Sequence, residues 1–259
     1  MPLVFAGITP HPPLLIPMIG KNQIKKIAKT QAALRQMEAE LYATRPQIII
    51  IISPHSGLFA NSFTLNAHTD FVSNFEEFGD FSTQKQWPGA PSLAAQINDL
   101  CQRKDIPLQM VSEQKLDHGA AVPLFYLTEH LKDVKILPIG YSKLNAVSHF
   151  HFGGALKEII MSAKERIAVI ATGDLTHGLP KSKTVKETFD AKLIHCLRHK
   201  IFGNLMELDG SYLQTKANEC GFRSILILLG VMKEIDYSFK DYVYEHPFGV
   251  GYLTGSFDF

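Results

Sequence analysis

The sequence predicts an α/β fold: one domain over residues 1–259, with a central, mostly parallel or mixed sheet flanked by helices. Three observations carry that expectation. Two apolar, β-branched runs, Gln47 to Ile52 and Ile167 to Gly173, have the length of buried parallel strands. Segments of helical period alternate with such runs, which is the pattern of βαβ units. No internal repeat, low-complexity stretch or linker divides the chain, and 259 residues are enough to bury one large core.

Taken in order, Leu3 to Ile8 reads as a buried strand leading into a Pro-rich turn from His11 to Pro17, whose prolines hold the backbone extended. From Gln23 to Tyr42, Ile24, Ile27, Leu34, Met37 and Leu41 recur at helical spacing, giving an amphipathic helix for one sheet face. Ile48 to Ile52 is uninterrupted isoleucine, suited to a central strand. Phe63 to Ala67 is a further strand, and Phe71 to Gly89 a long excursion of the kind that covers a site. A helix over Pro91 to Cys101, a strand over Leu108 to Val111 and a helix over Ala120 to Leu131 follow. Strands at Val134 to Ile139 and Ile167 to Thr172 bracket a helix near Ala146 to Ala163. Val185 to Leu213 reads as helical, Glu219-Cys220-Gly221 opens a buried helix, and Tyr242 to Phe259 reads as closing strands.

Charge and composition narrow the function. Lys plus Arg number 26 against 25 Asp plus Glu, so no strong field is available for a polyanion, and nucleic acid is not an expected partner. Lys25-Lys26 and the lysines from Lys181 to Lys186 read as solvated surface. Cys101, Cys196 and Cys220 are too few and too separated for a disulfide framework, which fits a reducing cytoplasm. No apolar run approaches the roughly 20 residues of a spanning helix, and the start lacks a basic leader, so a soluble, unprocessed protein without a membrane partner is expected. There is no phosphate-binding Gly-Lys loop, no dinucleotide fingerprint and no Gly-x-Ser-x-Gly elbow.

Five short segments carry ligand-type side chains: Pro10-His11-Pro12, Ser53-Pro54-His55, Asp117-His118-Gly119, Asp174 to His177 and Glu219-Cys220-Gly221. Open α/β sheets bind ligands at the carboxyl ends of their strands, where several of these turns fall. Two imidazoles and a carboxylate on one face of an octahedron suit a divalent iron that keeps positions open for substrate and dioxygen, and His11, His55 and Glu219 fit that description. His118 and His177 are then proton-transfer candidates, since an imidazole titrates near neutral pH. Asp174 either orients His177 or caps the next helix. His195 and His199 stand four apart without a third donor nearby, and His68, His130, His149, His151 and His246 are secondary. Cys220 is either a small buried helix residue, the preferred reading, or a soft ligand.

The motifs, as a set and in this order, resemble the class III extradiol ring-cleavage dioxygenases, the family that includes the β subunit of protocatechuate 4,5-dioxygenase and the related Memo proteins. The resemblance rests on His11 in ITPHPPLLIP, His55 in SPHSG, His118 in LDHGAAVPL, His177 in GDLTHGL, Glu219 in ANECGFRSILILLG and the ending HPFGVGYLTGSF. It implies ferrous iron held by His11, His55 and Glu219, His177 as acid/base, His118 touching substrate or oxygen, and a catechol-type aromatic diol opened with O2 in aromatic compound catabolism. It also implies a homodimer or a small companion subunit. Memo-type relatives use a cysteine in place of the carboxylate, which keeps Cys220 open as the third ligand. A zinc hydrolase built on the same donors, and a Memo-like metal-binding accessory protein with little turnover, are the alternatives.

Overall fold

The computed structural model describes residues 2–57, 59–179, 189–211 and 219–259. The chain runs β1 (Leu3–Thr9), α1 (Pro17–Gly20), a 3₁₀ segment (Lys21–Ile27), α2 (Ala28–Thr44), β2 (Ile48–Ser53), β3 (Phe63–Asn66), β4 (Asp70–Ser73) and β5 (Gln86–Pro88). It continues through α3 (Pro91–Arg103), β6 (Leu108–Val111), β7 (Lys115–Leu116), α4 (His118–Leu127), β8 (Lys135–Gly140), α5 (Ala146–Ser162) and β9 (Ile167–Thr172). The last elements are α6 (Phe189–His199), α7 (Phe202–Ser211), α8 (Phe222–Val231), β10 (Ser238–Glu245) and β11 (Tyr252–Asp258).

Eight strands form one mixed sheet in the order β10-β11-β1-β9-β2-β8-β3-β6. Its centre, β1-β9-β2-β8, is parallel, while β11 runs antiparallel to β1 and β3 antiparallel to β8. Register makes the parallel ends flush: Thr9 lies opposite Thr172, Ile52 opposite Ala171 and Ser53 opposite Gly140. The turns after β1, β9 and β2 therefore emerge side by side at the carboxyl edge.

The isoleucine run shows why this sheet is central. Successive side chains alternate between faces. Ile48, Ile50 and Ile52 enter one core with Phe63, Phe152 and Ile227, and Ile49 and Ile51 enter the other with Leu34, Met37 and Tyr126. All five isoleucines are buried, each contributing about 1.5–3 kcal/mol of burial. Helices α3, α5 and α8 supply the first core, and α2 and α4 the second. No helix among the described residues is long and apolar enough to cross a membrane.

Several expected boundaries shift for local reasons. The helix expected from Gln23 begins as 3₁₀ and becomes α-helical only at Ala28. The helix expected from Ala120 starts two residues earlier, at His118, because the Asp117 carboxylate accepts the Ala120 N–H and caps it; it stops at Leu127 rather than Leu131. The expected helical stretch from Val185 breaks at Lys200, whose φ is 58°, into α6 and α7. Residues 185–188, Leu213 and the lysines at 181–186 lie outside the described residues. The excursion over Phe71–Gly89 contains β4 and β5, which join β7 in a second, three-stranded sheet, and the first closing strand begins at Ser238 rather than Tyr242.

Candidate metal centre

His11 leaves β1 and His55 leaves β2 at the flush carboxyl edge, while α4 brings His118 to the same point. The ligand nitrogens of these three histidines lie within 4.8 Å of one another. His11 and His55 face each other directly, Nε2 to Nε2 at 3.2 Å. The rings of His55 and His118 stand 4.3 Å apart, centroid to centroid. His11 is 2% exposed, His118 half-buried and His55 exposed, so the cluster reaches from the protein interior to solvent.

The tautomer of His11 follows from a hydrogen-bond chain. The Thr172 hydroxyl donates its one proton to the Gly119 carbonyl at 2.7 Å. It must therefore accept at 2.8 Å from the His11 Nδ1–H, which leaves the Nε2 lone pair directed at His55. Sequence reasoning passed over Thr172, although it is the last residue of β9 and immediately precedes the Gly-Asp-Leu-Thr-His segment. Thr172→Val is expected to lower metal affinity by about 10–100-fold with the fold retained, measured by metal titration of the purified protein.

Close backbone approach brings the pieces together. A Cβ on Gly119 would stand 2.4 Å from Ser53 Oγ, and one on Gly173 would stand 2.0 Å from the Gly221 Cα. Those glycines allow the start of α4 to press on the end of β2, and the chain before α8 to press on the end of β9. Ser53 in turn donates to the Asp117 carboxylate, tying the His55 turn to the His118 cap.

The remaining predicted residues divide. Asp174 is buried, and its Oδ1 accepts the backbone N–H of His11 at 3.0 Å, while its own carbonyl accepts from Cys220 and Gly221. Its described carboxylate bond therefore goes to the His11 turn, with His177 three residues further along the chain. Glu219 accepts the Phe222 N–H at 2.6 Å, at the start of α8, and does not join the three-histidine cluster. Cys220 comes nearer: its Sγ is 3.6 Å from His11 Nε2 and accepts the Asp174 N–H at 3.3 Å. It precedes α8 and is only partly buried, in contrast to the small buried helix residue expected. His177 is exposed and pairs with Val250 as an isolated antiparallel bridge.

The long excursion does reach this centre. Glu77 Oε1 lies 3.4 Å from His118 Nδ1, and the Phe78 ring meets the His118 ring edge-on at 5.1 Å. A cavity of about 400 Å³ opens beside His55, lined by Ser56, Asn66, Asn74, Glu77 and Asp117 among others. A larger groove of about 620 Å³, bordered by Lys104, Phe150, Lys157 and Lys233, contains none of the clustered histidines.

Burial sets the protonation of the site. It holds His11 well below the ordinary imidazole value, with His55, His118 and His177 adding to the effect, and it lowers His55 in the same way. It pushes both Asp174 and Glu219 up to about 7, and raises the Cys220 thiol as well. Every one of these shifts disfavours charge. A divalent cation would reverse the penalty on the carboxylates and thiol, and neutral imidazoles are the form that ligates. Two nitrogens 3.2 Å apart also match donors each about 2.0–2.1 Å from one shared ion. The donor set thus fits a metal.

Comparison with known proteins agrees with this architecture. The chain is 27% identical to the protein CA_C1420 of Clostridium acetobutylicum over 95% of its length and 55% of that protein's. It is 24% identical to the 4,5-DOPA dioxygenase extradiol of Mirabilis jalapa over 60% of its length and 57% of the relative's. The chain therefore spans little more than half the length of these curated relatives. Among solved structures, the uncharacterized protein JW3007 from Escherichia coli K12 shares the fold, with a TM-score of 0.58 and 17% identity over 86% of this chain and 91% of that one. Residues 6–255 match the family described as the catalytic LigB subunit of aromatic ring-opening dioxygenase, and the chain belongs to that family.

Proposed function

We propose that this protein is a nonhaem Fe(II)-dependent extradiol dioxygenase that opens a catechol-type aromatic ring with O2, acting in the cytoplasm. The observation that supports the reading is the facing pair His11 and His55, with His11 tied through Nδ1 to Thr172 so that its free nitrogen faces that of His55. Family membership supplies the reaction class. Three unpaired cysteines support a reducing compartment.

In this reading His11 and His55 would hold the metal together with Glu219, whose carboxylate in this structure accepts the Phe222 N–H. Iron bound there would supply the redox chemistry that lets O2 react with a diol. The chain's own residues do the rest. Thr172 fixes the His11 ring, Asp174 fixes its backbone, and the cavity beside His55 admits a planar substrate. His118, braced by Glu77 and Phe78, contacts the bound diol. His177, held below the ordinary imidazole value of 6.5 chiefly by burial, is neutral at pH 7 and takes a phenolic proton at a ring nitrogen.

A second reading is favoured by one observation. The three clustered imidazoles are also the donor set of a catalytic zinc hydrolase, with His118 as third ligand. Metal content of single variants separates the two. Under the dioxygenase reading, Glu219→Gln loses most of the iron and His118→Ala keeps it; the reverse pattern, with zinc, establishes the hydrolase site. Loss on Cys220→Ser alone would favour a Memo-like metal-binding protein.

A further inference from the structure

Behind His177 lies a buried carboxylate that no sequence motif singles out. Asp190, in the first turn of α6, is fully buried. Its Oδ1 accepts the Thr176 N–H at 3.0 Å and the Thr176 hydroxyl at 2.6 Å, and its Oδ2 accepts the Tyr244 hydroxyl at 2.6 Å. Both oxygens therefore serve the turn that carries His177 and the strand beside it.

The same turn is stitched from its other side. Leu175 N–H donates to the Gly251 carbonyl at 2.8 Å, Gly251 N–H donates to the Thr176 carbonyl at 3.0 Å, and Leu179 N–H donates to the Gly249 carbonyl at 2.8 Å. His177 thus sits in a backbone clamp between the segment leading into β11 and the Asp190 carboxylate. The residue keeps access to solvent while the backbone on either side is bonded. Such an arrangement fixes the backbone from which the imidazole projects. Charge runs the same way: the Asp190 carboxylate favours the protonated ring of His177 and so opposes the effect of burial.

We infer that Asp190 is the positioning residue of His177, acting through Thr176 to hold the imidazole at the metal centre. The inference rests on the reading of His177 as the proton-transfer histidine. It assigns to Asp190 the role that, of the two readings open to Asp174, the three-residue spacing suggested; the described bond of the Asp174 carboxylate goes to the backbone of His11.

The test compares the full-length chain with Asp190→Asn, an isosteric change, at one fixed pH. Imidazole ¹H–¹⁵N spectra report the ring, with the His177 signals identified by their absence in His177→Gln. Steady-state kinetics with catechols and metal content are measured alongside. The inference expects the His177 ring signals to move, the remote His68 and His130 signals to stay, metal content to hold, and kcat to fall about 10–100-fold at nearly constant KM. Tyr244→Phe removes one bond to the same carboxylate and should move His177 in the same direction by less, which keeps the test decisive where Asp190→Asn does not fold. Unmoved His177 signals in a folded variant would overturn the inference. Moved signals in a protein that turns over no catechol would uphold the positioning and sink the ring-cleavage reading instead.

Discussion

His11→Ala is expected to strip the protein of nearly all its bound metal, with affinity falling by more than the roughly 100-fold that loss of an outer hydrogen-bond partner can cost. The expectation follows from where His11 stands. It is buried, its backbone is held by Asp174, and its Nδ1 is held by Thr172, so its Nε2 has one direction in which to offer a lone pair. Alanine would leave the Thr172 hydroxyl without its donor and His55 without the nitrogen it faces at 3.2 Å. No other described imidazole has both its backbone and its far nitrogen fixed in this way within the cluster, so no neighbour can substitute without moving a strand end. Metal analysis of the folded variant checks this; retained stoichiometric metal would remove His11 from the ligand set.

His177→Ala should behave in the opposite way, keeping its metal while kcat drops by about 10²–10⁴, the range typical of general acid–base catalysis. His177 lies outside the group whose nitrogens fall within 4.8 Å of one another, so removing it leaves the proposed donors in place. The pH profile carries the sign. Burial lowers the His177 pKa, with Asp190 opposing, so the neutral, proton-accepting ring persists below 6.5. Activity of the unsubstituted protein should therefore hold as pH falls to 6.5 and decline only as the lowered pKa is crossed. That acid limb should be missing from the residual activity of the alanine variant. Equal metal loss in His11→Ala and His177→Ala would contradict the division of roles.

The sheet centre was legible because its information is local. Five successive isoleucines are suited to a strand buried on both faces, and a histidine immediately after the strand must lie at its carboxyl end. The same logic located His11. What failed to show was anything decided by contacts far apart in sequence. Asp174 and His177 look paired at a spacing of three, yet the Asp174 carboxylate bonds a backbone amide 163 residues away. Glu219 and Cys220 are neighbours, and only the fold turns one toward the first amides of α8 and the other toward His11. Asp190 lay in a segment readable only as helix, because its partners Thr176 and Tyr244 arrive from a turn and a strand distant in the chain. The excursion over Phe71–Gly89 was legible as a site cover from its length and turn residues, but Glu77 and Phe78 as its contacts with His118 were not.

The role proposed for the His11–His55 pair in iron-dependent ring opening depends on the metal bound there. It is tested most directly by assaying the metal content of anaerobically purified protein together with oxygen uptake over a panel of catechols. Near-stoichiometric iron is expected, with catechol-dependent uptake that disappears with the metal. Zinc in the site, or iron with no uptake on any catechol, would contradict it.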